Sequence, residues 1–207
     1  MRLGCCQISR DHPDGVIGAK PLAVQNRRVD VDRAREFHGP RDYLDLAQSD
    51  AATAEELRWL ADSPYSFVVL AVARHPSTPS DVLERLLPDD PEAEVDSSIL
   101  RALAEHRSSS VDLLVSIARR VPPLLHVSGW RGWRHDGFAA GIALFRNPIV
   151  PDELLFRLLD DPEVTTEFRK VAARETTHAS VLERLSHDRS ERVRRAARRN
   201  VASESSQ

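Results

Sequence analysis

The chain repeats one unit of two short amphipathic helices, and this repetition constrains its fold more than any other feature. The clearest copy, at 147–174, reads NPIVPDELLFRLLDDPEVTTEFRKVAAR, and related stretches occupy 75–105 and 175–200. Equivalent leucines lie 26, 31, 41 and 27 residues apart in turn: Leu57, Leu83, Leu114, Leu155 and Leu182. A repeat of this length is typical of helical arrays in which each unit packs only on its neighbours.

Short polar signals mark where the helices of each unit are expected to begin. Thr53 and Glu56 have the spacing of a capping box, in which a Thr hydroxyl and a Glu carboxylate satisfy the first amides. The pairs Ser63-Pro64, Thr78-Pro79, Asp90-Pro91 and Asp161-Pro162 predict further helix starts, as do Pro151, Ser190 and either Ser109 or Ser110. Because helices under about 12 residues are marginal in water, the units must stack to be stable. The short helices are expected to be partly 3₁₀.

The apolar pattern predicts an all-α chain with a core of Leu, Val, Ala and Ile, since only 5% of its residues are aromatic. The second helix of the first unit is expected to bury Phe67, Val68, Leu70, Ala71 and Val72. Residues 1–38 are expected to form a weakly ordered leader, with a short helix near 29–37. The repeat domain is expected over 39–200, with units at 49–74, 75–105, 106–146, 147–174 and 175–200 and a polar tail at 201–207.

Composition favours a cytoplasmic protein and offers no metal or cofactor site. Its net charge of −3 is not that of a general nucleic-acid binder. Cys5 and Cys6 are adjacent, which excludes a disulfide scaffold, and they are too few for a closed metal site. No apolar run reaches the roughly 18 residues that span a bilayer. The histidines of the inter-unit turns, His75, His106 and His178, are expected to act in capping or turns.

The unit resembles the leucine-rich repeat variant, a short relative of HEAT-type α-solenoids. The resemblance rests on NP-x-x-P-x-x-LL-x-x-LL-x-DP followed by R-x-x-A-A-R at 147–174, and on partial copies such as HPSTPSDVLERL. It covers about 49–200 and implies a right-handed solenoid of about five helix pairs, but no particular activity. Some members of the family carry a cysteine-ligated iron–sulfur cluster ahead of the repeats. With only Cys5 and Cys6, this chain gives no support for such a cluster.

The first candidate binding segment is an insertion at 121–137, within the third unit. It contains Trp130, Arg131, Trp133 and Arg134, and Trp and Arg are favoured anchors at protein interfaces. The alternative is that Trp130 and Trp133, three residues apart, begin a longer second helix and pack on the neighbouring unit.

The second candidate is a row of arginines where the second helices end: Arg74, Arg146, Arg174 and Arg198, with Arg199 beside it. Such a row could bind phosphates or an acidic partner. Alternatively, each arginine complements its helix end and pairs with an aspartate near Asp62, Asp90, Asp161 or Asp188. A third candidate is the basic run that contains Arg192, Arg195 and Arg199, which a solvated last helix of a solenoid would also explain.

These patterns favour a non-catalytic scaffold that binds an as yet unidentified protein through its concave surface and the tryptophan insertion. No G-x-S-x-G, P-loop, G-x-G-x-x-G or Cys/His nucleophile pair is present. The alternative is a nucleic-acid-binding solenoid that uses the arginine-rich helix ends and the C-terminal basic helix. Its likeness to HEAT-like DNA glycosylases is one of architecture alone.

Overall fold

A computed structural model describes residues 39–89, 94–125 and 136–204, and every regular element in them is α-helical. In chain order the helices are α1 (Pro40–Ala47), α2 (Ala54–Leu60), α3 (Ser66–Arg74), α4 (Ser80–Arg85), α5 (Glu94–Glu105), α6 (Val111–Arg120), α7 (Pro122–Leu125), α8 (Asp136–Arg146), α9 (Asp152–Asp160), α10 (Thr166–Glu175), α11 (Ala179–Ser186) and α12 (Glu191–Glu204). The all-α repeat fold is therefore confirmed, whereas the right-handed sense and the number of units stay predictions. The expectation of 3₁₀ geometry is wrong for the described helices, all of which are α-helical.

The helices form two rows that pack on each other. One row, called here the second-helix row, contains α1, α3, α5, α8, α10 and α12, each packed on the next. The other, the first-helix row, contains α2, α4, α6, α9 and α11. The predicted leader and its helix near 29–37 lie outside the described residues.

The core lies between the two rows and contains the leucines that define the repeat. Leu57, Leu83, Leu114 and Leu155 are fully buried, and Leu182 is 4% exposed, so the predicted burial of these leucines is confirmed. Gly141 allows α8 and α10 to approach closely. A Cβ atom at Gly141 would lie 2.9 Å from Cε2 of Phe168, a ring that is itself buried.

Two of the predicted helix starts are confirmed in atomic detail. At α2, the Thr53 hydroxyl accepts a hydrogen bond from the Glu56 amide, and the Glu56 carboxylate accepts one from the Thr53 amide. At α6, the cap is Ser110, whose hydroxyl accepts from the Leu113 amide. The Asp90-Pro91 start lies outside the described residues.

Three predicted caps are wrong, because their side chains serve turns that precede the helix. The Ser63 hydroxyl accepts from the Tyr65 amide, and α3 begins at Ser66. The Asp161 carboxylate accepts from the Glu163 amide, and Thr165 caps α10 instead. The Thr78 hydroxyl donates backwards to the Val72 carbonyl, 2.6 Å away, and so closes the end of α3.

Phe67 is the clearest error in the predicted core. Its side chain is 42% exposed, and Leu70 and Ala71 of the same helix are only half-buried. Val68 and Val72 are fully buried, as expected. The apolar run of α3 is wider than the stripe that the neighbouring helices cover, so Phe67 is exposed while Leu70 and Ala71 pack partly against the core.

Candidate interaction surface

The predicted tryptophan insertion falls largely outside the described residues. Trp130, Arg131, Trp133 and Arg134 all lie in the stretch between α7 and α8 that the structure leaves out. On its near side, α7 places Leu125 in the core, 3.3 Å from a Cβ position at Gly141. The choice between a packed and a partner-binding insertion therefore stays open.

The helix-end arginines Arg146 and Arg174 are held by glutamates. A guanidinium nitrogen of Arg146 lies 2.6 Å from Glu175 at the end of α10, and another lies 4.0 Å from Glu105 at the end of α5. Arg174 lies 2.7 Å from Glu175 as well. Partial burial opposes ionisation of Glu175, but these two guanidiniums lower its pKa below the ordinary value. The ends of α5, α8 and α10 thus form an alternating row of acids and bases.

This arrangement corrects the predicted partners of the arginine row. Aspartates were expected, and among the described residues the partners are glutamates of the second-helix row. Asp62 pairs instead with Arg85, at 2.5 Å, and Asp188 pairs with Arg169. The error arises because contacts between units depend on the stacking of helices, which spacing within one unit does not show.

Arg74 differs from the arginines at equivalent positions. It ends α3 and is exposed. Within the described ranges 39–89, 94–125 and 136–204, no Asp or Glu oxygen lies within 4 Å of it. Its positive charge is therefore not compensated there.

The last helix, α12, carries more arginines than its neighbouring acid can neutralise. Glu191 accepts ion pairs from Arg194 at 2.5 Å, from Arg198 at 3.5 Å and from Arg195 at 3.9 Å. Arg192 and Arg199 are also exposed on this helix. Within the part of the chain that the structure describes, one carboxylate shared by three guanidiniums leaves a positive surface at this end of the row.

The first-helix row is connected from unit to unit by complementary pairs. Arg58 of α2 donates to Asp81 of α4 at 3.0 Å, and this hydrogen bond lowers the pKa of Asp81 below its ordinary value. Arg184 of α11 likewise pairs with Asp160 of α9. In α6, the cap Ser110 donates to Glu84 of α4. These pairs link α2 to α4, α4 to α6 and α9 to α11, so much of the charge on this surface is already satisfied.

The outer face of the second-helix row changes in character along the chain. Its positions in α3 are Phe67, Leu70 and Arg74, and the corresponding positions in α12 are Arg192, Arg195 and Arg199. Between them, α10 presents Glu167 and Lys170, which pair with each other at 2.7 Å. The row is thus apolar at its first end, neutralised in the middle and basic at its last end.

Phe67 is the surface residue that the sequence alone did not reveal. It begins an unbroken apolar run, FVVLAVA, in which no polar residue marks the outer face. The exposure of this position could have been predicted from the other units, because the equivalent residues in α10 and α12 are charged: Glu167 and Arg192. Comparison of units, rather than of residues within one helix, identifies this position as exposed.

Within the described residues, no group of three His, Cys, Asp or Glu side chains is arranged to hold a metal ion. None of the described helices is both long and apolar enough to cross a membrane.

The histidines of the inter-unit turns form hydrogen bonds with backbone groups. The His75 and His106 rings each accept from an amide two residues ahead.

Comparison with known proteins supports the resemblance carried by the repeat. The family model described as leucine rich repeat variant matches residues 68–92, which include α4 and all of α3 except its first two residues. No curated protein and no solved structure gives a significant match to the chain.

Proposed function

We propose that this chain, which contains a leucine rich repeat variant unit, is a non-catalytic scaffold that binds another protein through the outer face of its second-helix row. The observation that carries the proposal is the difference between its two surfaces. In the first-helix row, many charged side chains form ion pairs between neighbouring units, such as Arg58 with Asp81. The second-helix row leaves Phe67 and Arg74 exposed at one end and an excess of arginines at the other.

Such a surface suits a protein partner. Exposed aromatic and arginine side chains provide a large share of the energy at protein interfaces. The chain has only six phenylalanines, and Phe67 is one that is exposed to solvent. An exposed aromatic ring of this kind favours a binding role for the surface on which it lies. In this proposal the insertion residues Trp130, Arg131, Trp133 and Arg134 extend the contact, together with Arg146, Arg174, Arg195 and Arg198.

A second candidate function is nucleic-acid binding, and the observation that favours it is the basic surface of α12. Arg194, Arg195 and Arg198 share the single carboxylate of Glu191. A phosphate backbone, however, is bound best by a continuous positive track. The alternating row of Glu105, Arg146 and Glu175 interrupts such a track, and this favours a protein partner.

Affinity capture with the full chain, quantified by mass spectrometry, tests the leading proposal. We expect a reproducible protein partner whose recovery falls with Trp130→Ala, Trp133→Ala or Arg195→Glu. The matched control is Arg157→Glu, which changes an exposed arginine of the first-helix row by the same charge. Recovery that is equal for the wild type and all three surface variants would contradict the proposal.

Fluorescence anisotropy with labelled single- and double-stranded DNA and RNA tests the second candidate. Binding through arginines of α12 would weaken steeply as the salt concentration rises, because bound counterions are released from the phosphates. If no anisotropy change occurs at low salt, the nucleic-acid function is rejected and the protein-binding proposal is unaffected.

A further inference from the structure

A groove between α1 and α3 opens at the apolar end of the second-helix row. It has a volume of about 390 Å³ and is lined on its apolar part by Leu44, Ala47, Phe67, Leu70 and Ala71. Pockets that bind ligands commonly have volumes of roughly 300–1,000 Å³. The groove is therefore large enough to receive side chains from a partner.

The aromatic wall of the groove is already held in place. The Phe67 ring stacks on Tyr65, with 5.6 Å between the ring centroids, and Tyr65 in turn contacts Tyr43 at 6.1 Å. Phe67 nevertheless remains 42% exposed. A ring fixed on one side loses little freedom when a partner covers the other side, so binding there costs little side-chain entropy.

The polar end of the groove contains an arginine that forms no ion pair within the described residues. Gln48, Asp50 and Arg74 line this end. The carboxylate of Asp50 lies beyond ion-pair distance, and no other acid of the described residues lies within 4 Å of Arg74. A carboxylate from a partner would supply the charge-assisted hydrogen bonds that a guanidinium forms best.

A second groove of the same row contains Arg146 at the position equivalent to Arg74. It lies between α5 and α8, has a volume of about 470 Å³, and is lined by Glu105, Arg146 and Asn147 among others. Its arginine is held by Glu175 at 2.6 Å, and its Asn147 side chain donates to the Ala104 carbonyl at 3.0 Å. Arg146 and Asn147 are thus already bonded, whereas Arg74 forms no ion pair within the described residues, and neither does Arg107, which also lines this second groove.

The distance between the two features defines the shape of an occupant. Phe67 and Arg74 are separated by two turns of α3, or about 10 Å at 1.5 Å per residue. An extended peptide advances about 3.3 Å per residue, so it covers this distance in about three residues.

We propose that the groove between α1 and α3 binds an extended segment of a partner protein in which a bulky apolar side chain and an Asp or Glu lie about three residues apart. The apolar side chain packs against Phe67 and Leu70, and the carboxylate pairs with Arg74. This inference rests on the proposed protein-binding function and names the chemistry of the segment that is bound.

Selection of a displayed library of short random peptides on the immobilised full chain tests the proposal. The expected peptides share a bulky apolar residue with an acidic residue about three positions away. Their affinity for the chain should fall about tenfold or more with Phe67→Ala and with Arg74→Ala. Val111→Ala and Arg157→Ala are the matched controls, because Val111 is 44% exposed and both residues lie in the first-helix row.

A charge exchange makes the assignment specific. The Arg74→Glu variant should no longer bind the selected peptides. It should bind versions of those peptides in which the acidic residue is replaced by Lys. Thermal melts of each variant check that the fold is kept, as expected for exposed positions. If no peptide is selected, or if selected peptides bind the Phe67 and Arg74 variants as tightly as the wild type, the proposal is wrong. Peptides that depend instead on Arg192 or Arg195 would overturn it while leaving the scaffold function intact.

Discussion

The Nε2 atom of His106 lies 2.9 Å from the backbone carbonyl oxygen of His75 in the preceding turn. The same atom of His75 lies 3.0 Å from the carbonyl oxygen of Ser49, and that of His178 lies 3.0 Å from the carbonyl of Asn147. Because Nδ1 of His106 accepts from the Ser108 amide, its proton is on Nε2, which donates to His75. The turns are thus connected along the stack by side chains that donate to the backbone of the unit before.

Replacement of His106 by Ala should lower the free energy of unfolding by about 1–3 kcal/mol. His106 is only 6% exposed, and its loss leaves the carbonyl of His75 without this donor in a buried turn. Urea unfolding followed by circular dichroism measures the change. His187→Ala is the control, because that ring is exposed and hydrogen-bonds to Ser186 and Glu183 of the helix it follows, and its effect should stay within about 0.5 kcal/mol. Equal effects at the two positions would contradict a structural role for the connected turns.

Leu155→Ala and Leu182→Ala should each cost about 2–5 kcal/mol of stability, because both leucines are buried between the two helix rows. Arg157→Ala changes an exposed side chain of the same helix as Leu155 and should cost no more than about 0.5 kcal/mol. Chemical denaturation of the three variants provides the comparison. Small and equal effects at all three positions would mean that the repeat register is wrong.

Arg169 and Asp188 form the most buried ion pair among the described residues, with side chains 7% and 10% exposed and a distance of 2.8 Å. Arg169 also donates to the carbonyl of Val164 in the turn before α10, at 2.8 Å, while Asp188 lies in the turn before α12, so Arg169 connects α10 to both turns. Arg169→Met should cost about 3–5 kcal/mol, because it leaves the Asp188 carboxylate buried without its partner. The double variant Arg169→Met with Asp188→Asn should recover part of this loss. If the loss of stability in the double variant equals the sum of the losses in Arg169→Met and Asp188→Asn, the two side chains are not coupled.

Acid should remove part of the stability at the end of α10. The pKa of Glu175 is lowered in the folded chain, so its contribution is present above the unfolded value of about 4.3 and is lost as the pH falls through the folded value. Glu175→Gln should therefore have a lower melting temperature than the wild type at pH 7. Melting curves recorded from pH 7 downward should show the two proteins converging below about pH 4. A difference that is constant across this range would rule out the ionic contribution of Arg146 and Arg174.

The sequence was sufficient to predict the helix pairs and their buried leucines, because the apolar period and the length of the repeat both depend on local spacing. It was not sufficient for the turns. A Ser, Thr or Asp before a helix can cap the next helix or bind the end of the last one, and Thr78 does the second. Which of the two occurs depends on how the turn packs, and spacing alone does not encode it.

The surface was harder to predict than the core. The partners of Arg146 are Glu105 and Glu175, which lie on the helices to either side and 41 and 29 residues away in sequence. The exposure of Phe67 depends in the same way on what the neighbouring helices leave uncovered. Both features are properties of the stacked array, so they follow only when the units are placed side by side.

The most direct test of the account is site-specific photo-crosslinking of the full chain in cells. A photoreactive phenylalanine analogue is placed at Phe67 or Arg195 of the second-helix row, or at Val111 or Arg157 of the first-helix row, all of them exposed. We predict discrete protein adducts from the first two positions and none above background from the second two. Adducts that form equally from Val111 and Arg157, or only from them, would contradict the assignment of the second-helix row as the interaction surface.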